Sequence, residues 1–282
     1  MIKNLVLSGG DIAFLSMLGS LNKIKDKIKD IENIYSVSCG SWVGFFLSLK
    51  LDMQEIINYF IERPWFKLFN FNADKIFNLY NSLGIYDISI FYKIFEPLLK
   101  LCNLNNDITM IELYNYSNIK LNIYATKYDD LSIKCFNHEL TPDMKVIEAI
   151  FLSSSIPILF EPLKYNGEYY IDGGYNCNFP LHLCLEEHSN EDEILGINIE
   201  HYKDETSADD NDNILSFYLK LFYKFIVNKR CSYKKDNNVK KIIIYSNILT
   251  MDKFLSIIND KKVREEYVLN GEKSANLFLE YN

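Results

Sequence analysis

Ile34-Tyr35-Ser36-Val37-Ser38-Cys39-Gly40-Ser41-Trp42 decides the architecture. Ile34–Val37 reads as a short strand, and an apolar helix follows at once through Trp42, Val43, Phe45, Phe46 and Leu49. Ser38 falls on the sharp turn between them, a place where a serine hydroxyl is lifted clear of the sheet. Crowding demands small neighbours, and Ser36 and Gly40 provide them. The helix also aims its N-terminal amides at this turn, which favours developing negative charge. The plainer reading of Ser38 is an N-cap of that helix.

The same order of elements precedes this stretch. Ile2–Ser8 is strand-like and ends in Gly9-Gly10. Next, Leu15, Leu18, Leu21, Ile24 and Ile28 share one helical face, with Lys23, Lys25, Lys27 and Lys29 on the other. Strand–helix–strand–helix predicts an α/β fold with a parallel sheet. Residues 51–118 read as mostly helical, and Trp65, Phe66, Phe69, Phe71 and Phe77 within them as core rather than a lipid-facing rim. Further strands are expected at Leu121–Thr126, Leu131–Phe136, Ile194–Ile199 and Lys241–Tyr245, and a helix at Met144–Leu152. Leu163–Tyr165 and Glu168–Ile171 flank Asn166-Gly167, a two-residue hairpin signal. Lys203–Asn213 is polar and reads as an exposed loop. Ile214, Leu215, Tyr218, Leu221, Phe222, Phe225 and Ile226 mark an amphipathic helix. No composition shift divides the chain, so one α/β domain is expected over residues 1–282.

The formal net charge of -8 gives no general attraction to nucleic acid or to anionic lipid. Membrane contact has to come from an exposed apolar patch or a local basic one. The six cysteines are scattered without a Cys-x-x-Cys pair, as expected for free thiols in a reducing compartment. Neither a signal-peptide layout nor a bilayer-length apolar run is present, so a cytoplasmic protein, peripheral at membranes, is expected.

Two other turns carry potential chemistry. Ser8-Gly9-Gly10 could converge backbone amides on an oxyanion, or be a plain tight turn. Asp172-Gly173-Gly174 follows the strand Glu168–Ile171 and reads as a turn, or as a carboxylate held at a strand end. His138, His182, His188 and His201 show no metal-ligand spacing, and His188 and His201 look like surface residues. Gly9-Gly10 extends to no dinucleotide or P-loop motif. No metal or cofactor is expected.

Taken in order, these pieces resemble the patatin-like phospholipase family over residues 2–200. Leu5-Val6-Leu7-Ser8-Gly9-Gly10 is similar to its Gly-rich oxyanion loop, and Ser36-Val37-Ser38-Cys39-Gly40 to its Gly-x-Ser-x-Gly elbow. Leu121–Thr126 is similar to its central strand. Ser153-Ser154-Ser155-Ile156-Pro157 with Phe160 and Pro162 matches a further segment. So does Tyr170-Ile171-Asp172-Gly173-Gly174 with Asn178-Phe179-Pro180-Leu181. The resemblance implies a three-layer α/β/α sandwich with a mostly parallel sheet, acting on phospholipid or another glycerolipid. It implies Ser38 as nucleophile and Asp172 as direct base, through an acyl-serine intermediate and without histidine. Gly9, Gly10 and Asp11 would form the oxyanion hole, with Ser36, Cys39, Gly40, Gly173 and Gly174 supporting.

The first turn departs from the family pattern. Asp11 stands for a third glycine, Ala13 for a basic residue and Phe14 for another glycine. Aspartate tolerates left-handed backbone, so the loop shape can survive, but a carboxylate beside an oxyanion opposes its charge. Two readings follow: an active acyl hydrolase, or a catalytically impaired member that binds lipid or a protein partner.

Overall fold

Asn4–Leu7 (β1) runs into a short 3-10 turn and then a helix, Phe14–Lys23 (α1), before Asn33–Val37 (β2) returns beside β1 in parallel. These opening elements belong to a computed structural model that describes residues 1–69, 82–202, 214–230 and 238–281. Next come helices Cys39–Ser48 (α2) and Met53–Glu62 (α3), strand Gly84–Tyr86 (β3), and helices Ser89–Leu101 (α4) and Met110–Ser117 (α5). Lys120–Lys127 (β4) and Ile133–Phe136 (β5) precede Val146–Ser153 (α6). Ile158–Phe160 (β6), Lys164–Tyr165 (β7) and Glu168–Ile171 (β8) lead to helices Gly174–Cys177 (α7) and Leu181–Glu187 (α8). Ile194–His201 (β9), Ile214–Arg230 (α9), Lys240–Ser246 (β10), Met251–Asn259 (α10) and Lys261–Tyr281 (α11) complete the order.

The main sheet is ordered β10-β9-β1-β2-β4-β8-β7, with β5 also on β4. Its pairs from β10 to β4 are all parallel. Strands β5, β8 and β7 run antiparallel at one side. The two-residue side-chain period splits each strand between two cores. Leu5, Leu7 and Ile34 face the core formed with α1, α2, α4 and α6, whereas Val6, Tyr35 and Val37 face Leu181 and Cys184 of α8. Helices therefore cover both faces of a mixed, mostly parallel sheet, the α/β/α arrangement that the resemblance implied. Burial on both sides explains why the strands read as near-continuous apolar runs.

The β7–β8 hairpin has Asn166 and Gly167 at φ 51° and 85°. Both are positive, as a two-residue primed turn demands. Elsewhere the structure corrects the sequence reading. Residues 51–118 are mostly helical where described, but the unforeseen β3 interrupts them and pairs in parallel with β6. Each is three residues long, too short for a periodic signal. Helix α1 stops at Lys23, so Ile24 and Ile28 are buried from a 3-10 turn rather than from the helix. Trp65 is buried and stacks on Phe60 at 5.3 Å, but Phe66 is exposed. Phe71, Phe77, the Lys203–Asn213 loop and Cys231 lie outside the described residues.

The C-terminal α11 packs on α1 with backbones in contact. Ser16 Oγ donates to Tyr267 O at 2.6 Å, and a Cβ on Gly271 would lie 1.7 Å from Ser16 O. Only glycine permits that approach.

Candidate active site

Ser38 follows β2 with φ 52° and ψ -127°, a sparsely populated conformation for a non-glycine residue. Although it stands at the N-cap position of α2, its side chain makes no capping hydrogen bond. The plainer capping role therefore does not account for it. The strained turn is tied down from below: Ser38 N donates to Ser153 Oγ at 2.8 Å, and Ser153 Oγ donates to Tyr124 O of β4 at 2.6 Å. A Cβ on Gly40 would lie 2.6 Å from Ser8 O, so α2 passes the first turn only because that residue has no side chain. Ser36 replaces the family's glycine without an orphaned hydroxyl, because its Oγ donates to Asn122 O at 2.9 Å.

Asp172 follows β8 and is buried. Asp172 N donates to Ser155 O and Gly173 N to Ser153 O, each at 3.0 Å, so the segment after α6 holds both the serine and the aspartate. The two carboxylate oxygens are treated differently. Oδ1 accepts from Gly174 N at 2.7 Å. Oδ2 is buried without a hydrogen-bond partner among the described residues, on a carboxylate that shares a small cavity with Ser38. Burial pushes the Asp172 pKa up to about 7, opposed by the Ser38 hydroxyl and the Gly174 amide.

The first turn lies across that cavity. Gly9 N donates to Asn178 O at 2.9 Å, Asn178 Nδ2 donates to Gly9 O at 3.3 Å, and Ile199 N donates to Ser8 Oγ at 2.8 Å. Ala13 N donates to Gly10 O, and the Gly10 amide lies within hydrogen-bonding reach of the Cys39 sulfur. Asp11 adopts φ 46°, the left-handed region a glycine would take. Its carboxylate accepts from Ile12 N and from the Tyr223 hydroxyl. Burial raises its pKa to about 7 against those bonds. Cys39 is buried beside both carboxylates, and burial holds its thiol well above the usual range, which disfavours the reactive thiolate.

A second cavity, about 110 Å³, opens from Ser38 and Cys39 and is almost wholly apolar, walled by Phe14, Trp42, Phe60, Ile94, Leu159 and Phe160. Trp65 and Phe69 line it too, so that part of the aromatic stretch faces the site's interior.

Five contributors escape the sequence reading. Ser153 and Asn178 lie within the motifs, but nothing in their sequence context assigns either a role. Tyr223 and Phe222, on the inner face of α9, line the small cavity and carried no local signal. His201, read as a surface residue, is buried there, its Nδ1 3.2 Å from Ser246 O and its ring edge-on to Tyr223. Gly173 and Gly174 flank Asp172 as expected, with Gly174 supplying the amide described above.

The patatin-like phospholipase family profile matches residues 5–185, and the chain belongs to that family. A protein of Invertebrate iridescent virus 6, named a probable lipid hydrolase, is 33% identical over 189 residues, 66% of this chain and 64% of that protein. An uncharacterized protein of Acanthamoeba polyphaga mimivirus is 26% identical over 248 residues, 86% of this chain and 79% of the other. Among solved structures, VipD from Legionella pneumophila superposes with a TM-score of 0.58 at 17% identity, covering 99% of this chain and 67% of VipD. The type III effector ExoU of Pseudomonas aeruginosa gives 0.50 at 13%, covering 99% and 53%. At these identities the likeness speaks to fold alone. No helix among the described residues is long and apolar enough to cross a membrane.

Proposed function

We propose that this protein is a lipid acyl hydrolase that cleaves a glycerolipid ester with Ser38 as nucleophile and Asp172 as base. One observation carries the reading. A buried carboxylate with an unpartnered oxygen shares a cavity with a serine held at positive φ, and an apolar cavity opens from that serine. An aspartate pKa near 7 makes a far better base at neutral pH than an ordinary carboxylate.

Ser38 Oγ attacks the ester carbonyl carbon while its proton passes to Asp172 Oδ2. Charge develops on the carbonyl oxygen, beside the Gly10 and Asp11 amides and the N-terminus of α2. Collapse of the tetrahedral species breaks the bond to the alcohol, which leaves with the proton from Asp172. Water then attacks the acyl-serine, with Asp172 again accepting its proton, and the fatty acid departs as Ser38 is restored. The acyl chain occupies the cavity walled by Phe14, Trp42 and Phe160.

The Asp11 carboxylate favours a second reading, a lipid-binding member with impaired catalysis. Once ionised, it places negative charge beside the turn that must hold the oxyanion. A fluorophosphonate probe and a short-chain ester decide between the two. The hydrolase reading requires labelling and turnover in the parent and neither in Ser38→Ala; an unlabelled, inactive parent supports the second.

A further inference from the structure

Helix α9 was expected to bury one apolar face and expose a polar one. It buries Leu219, Phe222 and Tyr223, with Phe222 and Tyr223 forming the roof of the small cavity over Ser38 and Asp172. Its outward face is also apolar: Ile214 is 88% exposed, Phe217 50%, Leu221 42% and Phe225 54%. At about 100° per residue these four fall within an arc of about 80°, a continuous stripe rather than scattered side chains. Lys224 and Lys220 follow on one flank of that arc. The sequence from Ile214 to Lys235 holds six cations and no carboxylate, in a chain of net charge -8.

We propose that the outer face of α9 docks this protein on anionic phospholipid bilayers. The stripe enters the acyl boundary while Lys224 meets the headgroups, the division of labour of an interfacial amphipathic helix. Charge complementarity selects this occupant. A second copy of the chain would set the same cations against themselves, because a two-fold interface is self-complementary. An uncharged surface would leave Lys224 unanswered. The face lies directly outside the roof of the candidate site. The roof is fastened by Tyr223 to Asp11 and by a 2.6 Å contact between the Tyr218 and Tyr175 hydroxyls. The bilayer that holds the substrate thus engages the element that covers the dyad. That consequence rests on the hydrolase reading; the docking itself does not.

The test is co-sedimentation of the full-length Ser38→Ala protein with vesicles of phosphatidylcholine alone or mixed with phosphatidylserine. Binding is expected only to the mixed vesicles, weakening as salt rises. Lys224→Gln should lower affinity about fivefold. Phe217→Ser with Phe225→Ser should lower it at least about tenfold without changing the melting temperature. Equal binding to both vesicle types, or unaltered binding by both variants, overturns the proposal. So does a parent dimer that the double serine variant dissolves, since the stripe would then be covered by a second copy. Vesicle binding without ester turnover in the parent would leave this surface standing and remove the hydrolase reading; turnover of a soluble ester without vesicle binding would do the reverse.

Discussion

The backbone amide of Ser38 donates to Ser153 Oγ at 2.8 Å, and the same oxygen donates onward to Tyr124 O at 2.6 Å. One hydroxyl thus joins the elbow, the end of α6 and the central strand. Ser153→Ala removes both bonds in a buried place. Stability should fall by about 1–3 kcal/mol, read by urea unfolding. Ester turnover should fall mainly in kcat, because the elbow rather than the apolar cavity is disturbed. A loss confined to KM would contradict that assignment.

Ser38 is strained in a way that glycine is not. Ser38→Gly should raise stability by about 1 kcal/mol or more while abolishing probe labelling. An unchanged or lower melting temperature would mean that Ser38 stores no strain.

Asp172 predicts opposite effects of pH on activity and stability. In the proposed role of base it must be ionised, so kcat/KM should rise with pH through about 7. Its folded pKa lies above the unfolded value, because burial penalises the charge. The protein therefore loses stability as pH climbs from about 4 to about 7. Asp172→Asn should then stabilise the fold at pH 8, by up to about 4 kcal/mol at 1.36 kcal/mol per pKa unit, and change little at pH 4. A stabilisation that is independent of pH would show that the carboxylate is not the strained group.

Asp11 titrates over the same range, with its charge on the first turn, the proposed oxyanion loop. Asp11→Asn should keep the rise near pH 7, which belongs to Asp172, and lift the plateau above it severalfold. A lowered plateau would instead make the Tyr223–Asp11 bond a support that the loop requires.

Gly40→Ala tests the crowding of the elbow. The added methyl meets Ser8 O at 2.6 Å, and backbone cannot swing away as a side-chain tip can. A loss of about 1–3 kcal/mol is expected from chemical denaturation, together with the loss of labelling. Full activity in this variant would show that the first turn moves freely past α2.

Local chemistry explains what could be read in advance. Parallel strands buried on both faces appear as apolar runs, and Asn166-Gly167 can make only a few turns, so β1, β2, β4, β7, β8 and β9 were legible. Ser38 and Asp172 were legible because strand ends and glycines leave a short-range mark. The strands β3 and β6 were not, since three residues hold no period. Tyr223 and His201 reach the cavity from elements about 160 residues or more past Ser38, and a tyrosine in an apolar helix looks like any other core aromatic. The outward stripe of α9 escaped for a related reason. Periodicity reveals that a helix has apolar faces, but not which of them meets the protein.

The contact between Gly271 and Ser16 has a consequence in time as well as space. Helix α1, which follows the first turn, has its closest partner in α11, which lies far along the chain from it. At translation rates of roughly 5–20 residues per second, α1 waits on the order of ten to fifty seconds for α11 to emerge. During that interval its packing surface is bare while the sheet beneath it is already complete in sequence. The nascent chain thus carries its first turn unsupported until α11 has been made, a window in which a chaperone has something to hold.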